Sequence, residues 1–311
     1  MGPGIRVVAS AVMLVALISR LHLSTIIPAQ HRYTAELIAL ALVVTLGGMV
    51  LSAIRWQLVL RAMELPTKIR TAIRLYLAGL FVGNFLPSTV GGDLLRISRL
   101  PTATGERSGP FASVVLERLT GWLVLPVITL ATLMINPGLL HLGRASRVAV
   151  FLSGGTLVAL MGILTVAGHP RLGGRLTERQ GWARFLGAIH MGLACFRHRP
   201  RAAFGVLAVS LAYQLVIAIG VYVAAGALEL HVSFTAVMAF MPAVAIVSVI
   251  PVTIGGLGVR EGAFVLFLHP LGVSTSQAIA LGLVVYAMNL LISLLGAPAF
   301  ALNKTPTTTP A

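Results

Sequence analysis

The chain has 311 residues, 57% of them hydrophobic and only 10% charged, with a formal net charge of +15. Soluble domains carry roughly a quarter charged residues, so this composition excludes an ordinary soluble fold and indicates an all-α, polytopic integral membrane protein. The basic excess contains no Lys/Arg block interleaved with aromatics, so it is assigned to cytoplasmic loops facing anionic lipid rather than to nucleic acid.

In chain order, uncharged apolar runs occur at 7–19, 37–54, 75–92, 119–137, 148–168, 202–228, 230–259 and 262–303. A bilayer-spanning helix needs about 20 such residues. The first run resembles a signal peptide but lacks a convincing small-residue cleavage site, and is expected to be a retained first span. The last is expected to split near His269-Pro270 into a short element and a full span. Arg55, Arg61, Lys68, Arg70 and Arg74 form one basic cluster; Arg96, Arg99 and Arg107 form a second; Arg171 to Arg201 holds a third. All three are expected in the cytoplasm, and the Lys/Arg-free loops near Glu229 and His269 outside. These sides agree only if the segments between Arg74 and Arg96, and between Glu229 and His269, are re-entrant: half-helix, break, half-helix. The expectation is six full spans and two re-entrant hairpins, with both termini cytoplasmic in a bacterial plasma membrane. Trp56 and Tyr76 read as interface anchors, and loop 169–201 as a linker or a surface helix with Trp182, Phe185, Leu186 and Ile189 toward lipid.

The two breaks repeat each other. Residues 87–96, PSTVGGDLLR, and 251–260, PVTIGGLGVR, both fit P-x-T-[VI]-G-G-x-x-x-R at an offset of 164 residues. The same offset places 37–54 on 201–218 and Phe111 on Thr275. Combined with the opposite sides expected for the hairpins, this reads as an inverted-topology repeat, with halves about 1–147 and 148–304 in one domain. Residues 305–311 read as a disordered Thr/Pro tail.

Chemistry follows from the breaks. Proline interrupts a helix and paired glycines allow unusual φ and close approach. At membrane depth, broken helices are tolerated only inside protein or along a cavity. Each break exposes a helix N-terminus, whose N–H groups and partial positive charge attract anions. Arg96 and Arg260 lie one turn beyond, so the expected substrate-binding set is Asn84, Thr89, Gly91, Gly92, Arg96, Arg118, Thr253, Gly255, Gly256 and Arg260. Asp93, Glu117 and Glu261 are expected to couple transport to protons or to neutralise arginines; Asp93 reads also as a helix cap, Glu261 as an arginine partner, and Glu117-Arg118 as an interfacial pair or a cavity wall. Gly79-x-x-x-Gly83 reads as tight helix packing. A single cysteine, Cys195, and eight scattered histidines give no disulfide, no metal and no cofactor.

"GNFLPSTVGGDLLR", then "ERLTGW", then "IPVTIGGLGVREGAF", resembles the transmembrane flippase domain of the lysylphosphatidylglycerol synthase family. The resemblance covers most of the chain and implies lipid translocation rather than catalysis: a phosphate-bearing lipid, such as an aminoacylated or anionic phospholipid or a polyprenyl-phosphate-linked glycan, is moved between leaflets. It assigns this role to Asn84, Pro87, Gly91, Gly92, Arg96, Glu117, Arg118, Pro251, Gly255, Gly256, Gly258, Arg260 and Glu261. The sequence shows no soluble synthase domain, so an aminoacyl substrate does not carry over, and a separate lipid-modifying or glycosyltransferase enzyme is a candidate partner. A homodimer is left open. The alternatives are an anion or small-solute transporter, for which Arg260-Glu261-Gly262 resembles a loop of chloride channels, and an intramembrane enzyme of lipid-linked sugar metabolism.

Overall fold

The computed structural model describes residues 34–85, 91–101, 107–169, 183–249 and 256–302. Among them the only regular elements are helices. They are α1 (Thr34–Ala62), α2 (Ile69–Phe85), α3 (Gly91–Arg99), α4 (Ser108–Ile135), α5 (Arg144–Gly168), α6 (Ala183–His198), α7 (Pro200–Ala227), α8 (Phe234–Ser248), α9 (Val259–Leu268), α10 (Thr275–Leu294) and α11 (Gly296–Leu302). Five membrane-length apolar helices result: α1, α4, α5, α7 and the continuous 275–301 segment. The expected first span, 7–19, lies outside the described residues.

The helices recur at the sequence offset of 164. Shifted by it, α2 lands on 233–249, against Phe234–Ser248 observed for α8. α3 lands on 255–263, where Gly256 opens the turn into α9, and α1 lands on 198–226, against Pro200–Ala227 for α7. α4 lands on 272–299, covered by α10 and the start of α11. Each repeat therefore contains a long helix, a broken pair and another long helix. At 1.5 Å per residue, α3 is about 14 Å long and α8 about 22 Å, both short of the roughly 30 Å hydrocarbon core.

Helix starts follow local chemistry. Ser233 caps α8 through Ala236 N–H at 3.2 Å. Ser274 and Gln277 cap α10 reciprocally, at 3.3 and 3.1 Å. Pro126 and Pro242 sit inside α4 and α8, as membrane helices tolerate when packed. The repeat-related α1 and α7 make the most extensive helix pair. Small residues allow this: a Cβ on Gly48 would lie 2.8 Å from Ile217 Cδ1, and one on Gly220 2.7 Å from Thr45 Oγ1. The main apolar core joins α7, α8, α9 and α10 around Phe240, Phe264 and Phe267.

Three expectations are corrected. Arg55 is not a loop charge: α1 continues to Ala62, and Arg55 is 5% exposed. Trp56 is fully buried rather than an interface anchor, because it packs with Leu60, Leu75 and Leu100 under the first hairpin. In the 169–201 region, helix α6 (Ala183–His198) buries Ile189 against its neighbours α4 and α5, whereas Phe185 is exposed as expected, packing edge-on against Phe111; Trp182 lies outside the described residues.

Candidate functional site

The first hairpin closes through glycine. A Cβ on Gly92 would sit 2.1 Å from the Gly79 carbonyl oxygen, so α2 and α3 touch backbone to backbone. That contact presses α3 onto α2 and turns Asp93 and Arg96, three residues apart, toward α4. Arg96 donates to Asp93 Oδ1 at 2.6 Å and to Glu117 Oε2 at 3.2 and 3.3 Å. Glu117 Oε1 accepts from Arg55. Arg118 Nε donates to Asp93 Oδ2 at 2.5 Å. The result is one chain of ion pairs, Arg55–Glu117–Arg96–Asp93–Arg118, drawn from α1, α3 and α4.

Aromatic rings enclose this chain. The Arg96 guanidinium lies between Trp56 and Tyr76, at 4.9 and 4.8 Å from the ring centroids. Arg55 lies over Tyr213 of α7 at 5.2 Å and donates to Ser52 Oγ at 3.1 Å. Ser52 in turn shares a 2.7 Å bond with the Tyr76 hydroxyl. Removal from water makes such pairs strong only when every lone pair and proton is matched, and this shell of rings and hydroxyls supplies part of that matching.

The second hairpin is built differently. Gly256 has φ +72° and Gly258 has φ +84°, left-handed values that favour glycine and turn the chain into α9. Glu261 caps that helix by accepting from Gly258 N–H at 2.5 Å. Arg260 lies over Tyr286 of α10 at 5.4 Å from the ring centroid. Glu261 itself is fully buried against Gly282, where a Cβ would stand 3.0 Å from Glu261 Cγ. Asp93 pairs with arginines, the neutralising role expected of it, and Glu261, rather than Asp93, is the acid that caps its helix. Glu117 and Arg118 do not form an interfacial pair but point to different partners.

Both hairpins border one cavity of about 400 Å³. The repeat-related pairs Asn84/Ser248, Gly92/Gly256 and Arg96/Arg260 all line it. Asp93 and Arg118 add charge to the wall, Tyr213 and Asn289 add polar groups, and Met49, Ile217, Val221, Met241, Val285 and Met288 supply apolar surface. Asn84 Nδ2, which is buried, has no hydrogen-bond partner among the described residues. Glu117 and Glu261 stand beside the cavity without lining it, and Gly91 begins α3 just beside Gly92. Thr89, Thr253, Gly255, Pro87 and Pro251 lie outside the described residues. Sequence reasoning missed Arg55, Ser52, Trp56, Tyr76 and Tyr213 as parts of the site. The available signal was an arginine following an apolar run with serine three residues before it and tryptophan beside it.

Among the described residues, no three His, Cys, Asp or Glu side chains gather as a metal centre needs. The model of one family, described as the lysylphosphatidylglycerol synthase TM region, matches residues 4–296. The chain belongs to that family. No curated protein sequence matches it. As a member of the lysylphosphatidylglycerol synthase transmembrane-region family with five membrane-length helices among its described residues, it is an integral membrane protein. In this family member the described parts of the quoted motifs map onto the two hairpins and the first half of α4, elements that border the cavity.

Proposed function

We propose that this protein translocates a phosphate-bearing lipid between membrane leaflets. The head group sits in the cavity between the two broken hairpins while the tails stay in the bilayer. The observation that carries this reading is a single cavity walled by residues at repeat-equivalent positions, with arginine and glycine contributed from both hairpins. A volume near 400 Å³ suits a head group rather than a whole lipid, since sites for small ligands run from about 300 to 1,000 Å³.

In this reading the hairpins are re-entrant, the first from the cytoplasm and the second from outside, so that the halves form an inverted repeat in a bacterial plasma membrane. Rocking of one half against the other opens the cavity to each leaflet in turn. Arg118 and Arg260 bind phosphate, Asn84 and the Gly92 and Gly256 backbones add hydrogen-bonding groups, and Thr89 and Thr253 flank them in the sequence. The protein makes and breaks no covalent bond; a separate lipid-modifying or glycosyltransferase enzyme supplies the lipid.

The test is reconstitution into liposomes carrying fluorescent lipids, with dithionite bleaching of the outer leaflet. Wild type is expected to expose inner-leaflet lipid to bleaching well above protein-free vesicles. Failure of a monodisperse, folded protein to move any phosphate-bearing lipid ends the proposal.

A further inference from the structure

The site brings together four guanidinium groups and three carboxylates. In the ion-pair chain, two acids, Glu117 and Asp93, stand among three cations, Arg55, Arg96 and Arg118. In the second hairpin Arg260 and Glu261 are neighbours at the start of α9, one charge of each sign. The stretches 86–90 and 250–255, which adjoin the site in sequence, contain no charged residue, and every charged residue in the first 33 positions is basic. Among the described residues, the site therefore carries one positive charge more than it carries negative.

Of the two ends of the ion-pair chain, Arg55 is buried and does not line the cavity, whereas Arg118 does. Arg96 is not where the excess charge resides, because both of its terminal nitrogens bond carboxylates and its side chain is 5% exposed between two rings. Arg118 bonds, among the described residues, through Nε alone; its side chain is 50% exposed and it lines the cavity. A counter-ion bound at this half-exposed cation gains the modest, partly screened energy of a surface ion pair and balances the charge of the site.

We infer that the ligand of this site is a lipid whose head group carries one net negative charge: a phosphodiester with hydroxyl groups and no ammonium. Arg118 supplies the neutralising charge, Arg260 assists from the second hairpin, and Arg96 is a positioning residue that fixes Asp93 and Glu117. A zwitterionic head group leaves the excess charge in place, a cationic aminoacyl head group adds to it, and a diphosphate overshoots it. This inference rests on the reading of the cavity as a lipid head-group site.

The experiment uses full-length protein in vesicles with fluorescent phosphatidylglycerol, phosphatidylcholine or lysyl-phosphatidylglycerol. Wild type is expected to move phosphatidylglycerol faster than either other lipid by about threefold to fivefold, the scale of one half-exposed ion pair. Arg118→Gln, which neutralises the excess, is expected to erase that preference, and Arg118→Lys to retain it. Equal or faster movement of phosphatidylcholine or lysyl-phosphatidylglycerol by wild type overturns the charge assignment while leaving translocation intact. If no lipid moves, translocation fails, and fluorescence polarisation of the same three lipids against wild type in detergent decides the charge question separately. Preferential binding of phosphatidylglycerol there supports the assignment; equal binding of all three overturns it.

Discussion

Arg96 and Arg260 occupy equivalent positions, 164 residues apart, and line the same cavity, but they are held in different ways. Arg96 is clamped by Asp93 and Glu117 and stacked between Trp56 and Tyr76. Arg260 lies over the single ring of Tyr286. The cause is in the sequence: the positions equivalent to Asp93 and Glu117 are Leu257 and Leu281, and the one equivalent to Arg55 is Ile219. The two halves therefore carry different charge patterns, with acids at 93 and 117 in the first and leucines at the equivalent positions of the second.

Bracing makes Glu117 the residue on which the first half depends. Replacing it by glutamine leaves Arg55 and Arg96, both buried, without their shared counter-charge. Breaking a buried pair by removing one partner costs about 3–5 kcal/mol. Glu117→Gln is expected to lower the thermal midpoint in detergent markedly. In a cycle with Arg55→Leu and Glu117→Leu, the double variant is expected to be less destabilised than the sum of the singles by about 1–3 kcal/mol. Strict additivity would show that the pair contributes nothing as a pair.

The glycines of the first hairpin differ in what they tolerate. Gly92→Ala forces a Cβ to within 2.1 Å of the Gly79 carbonyl oxygen, whereas at Gly83 the nearest atom is 4.0 Å away. Separating α2 from α3 costs about 1–3 kcal/mol or more, as overpacking does. Gly92→Ala is expected to reduce both yield and thermal midpoint, and Gly83→Ala to leave both near wild type. Equal behaviour of the two variants, seen by differential scanning fluorimetry, contradicts the backbone contact.

Much of this architecture was legible because it rests on spacing. The P-x-T-[VI]-G-G-x-x-x-R pattern and the apolar runs fix the broken hairpins and the 164-residue repeat, and the helices follow them to within a few residues at most ends. The cation clamp was not legible. Arg55 follows an apolar run and precedes other basic residues, the same local pattern that a cytoplasmic anchor produces, and only the packing of α1 against α4 and α7 reveals that it is buried. Trp56 and Tyr76 misled for the same reason: aromatics at the ends of apolar runs mark interfaces until a buried guanidinium lies between them. Asp93 and Glu261 each stand near a helix start, and sequence alone does not tell that Glu261 is the one that caps.

The second hairpin depends on backbone conformation rather than charge. Gly256 sits at φ +72°, and a Cβ there would also lie 3.1 Å from the Ser248 carbonyl oxygen. Placing an L-residue in that region costs about 1–2 kcal/mol. Gly262 lies in α9 with nothing within 4 Å of an added Cβ, so alanine there gains roughly 0.5–1 kcal/mol of helix propensity. Gly256→Ala is expected to slow lipid movement in liposomes and lower the thermal midpoint, while Gly262→Ala does neither. Wild-type transport by Gly256→Ala would remove the strained turn from the mechanism.

Re-entry of the hairpins is open to direct measurement. Lys68 and Ser108 are exposed and flank the first hairpin; His231 and His269 are exposed and flank the second. A segment that enters and leaves by one face puts both of its flanks on that face, whereas a full span puts them on opposite faces. In the proposed orientation, the basic residues near Lys68 and Ser108 place those flanks in the cytoplasm, and the Lys/Arg-free loops place the other two outside. Single cysteines at the four positions, in a Cys195→Ser background, are to be labelled with a membrane-impermeant maleimide in right-side-out and inside-out vesicles. Positions 68 and 108 are expected to react only from the cytoplasmic face, and 231 and 269 only from the other. Opposite labelling within either pair would make that hairpin a spanning segment. Labelling of all four from one face would make the two repeats parallel, so that the two hairpins would open toward the same leaflet and rocking would have no second side to expose.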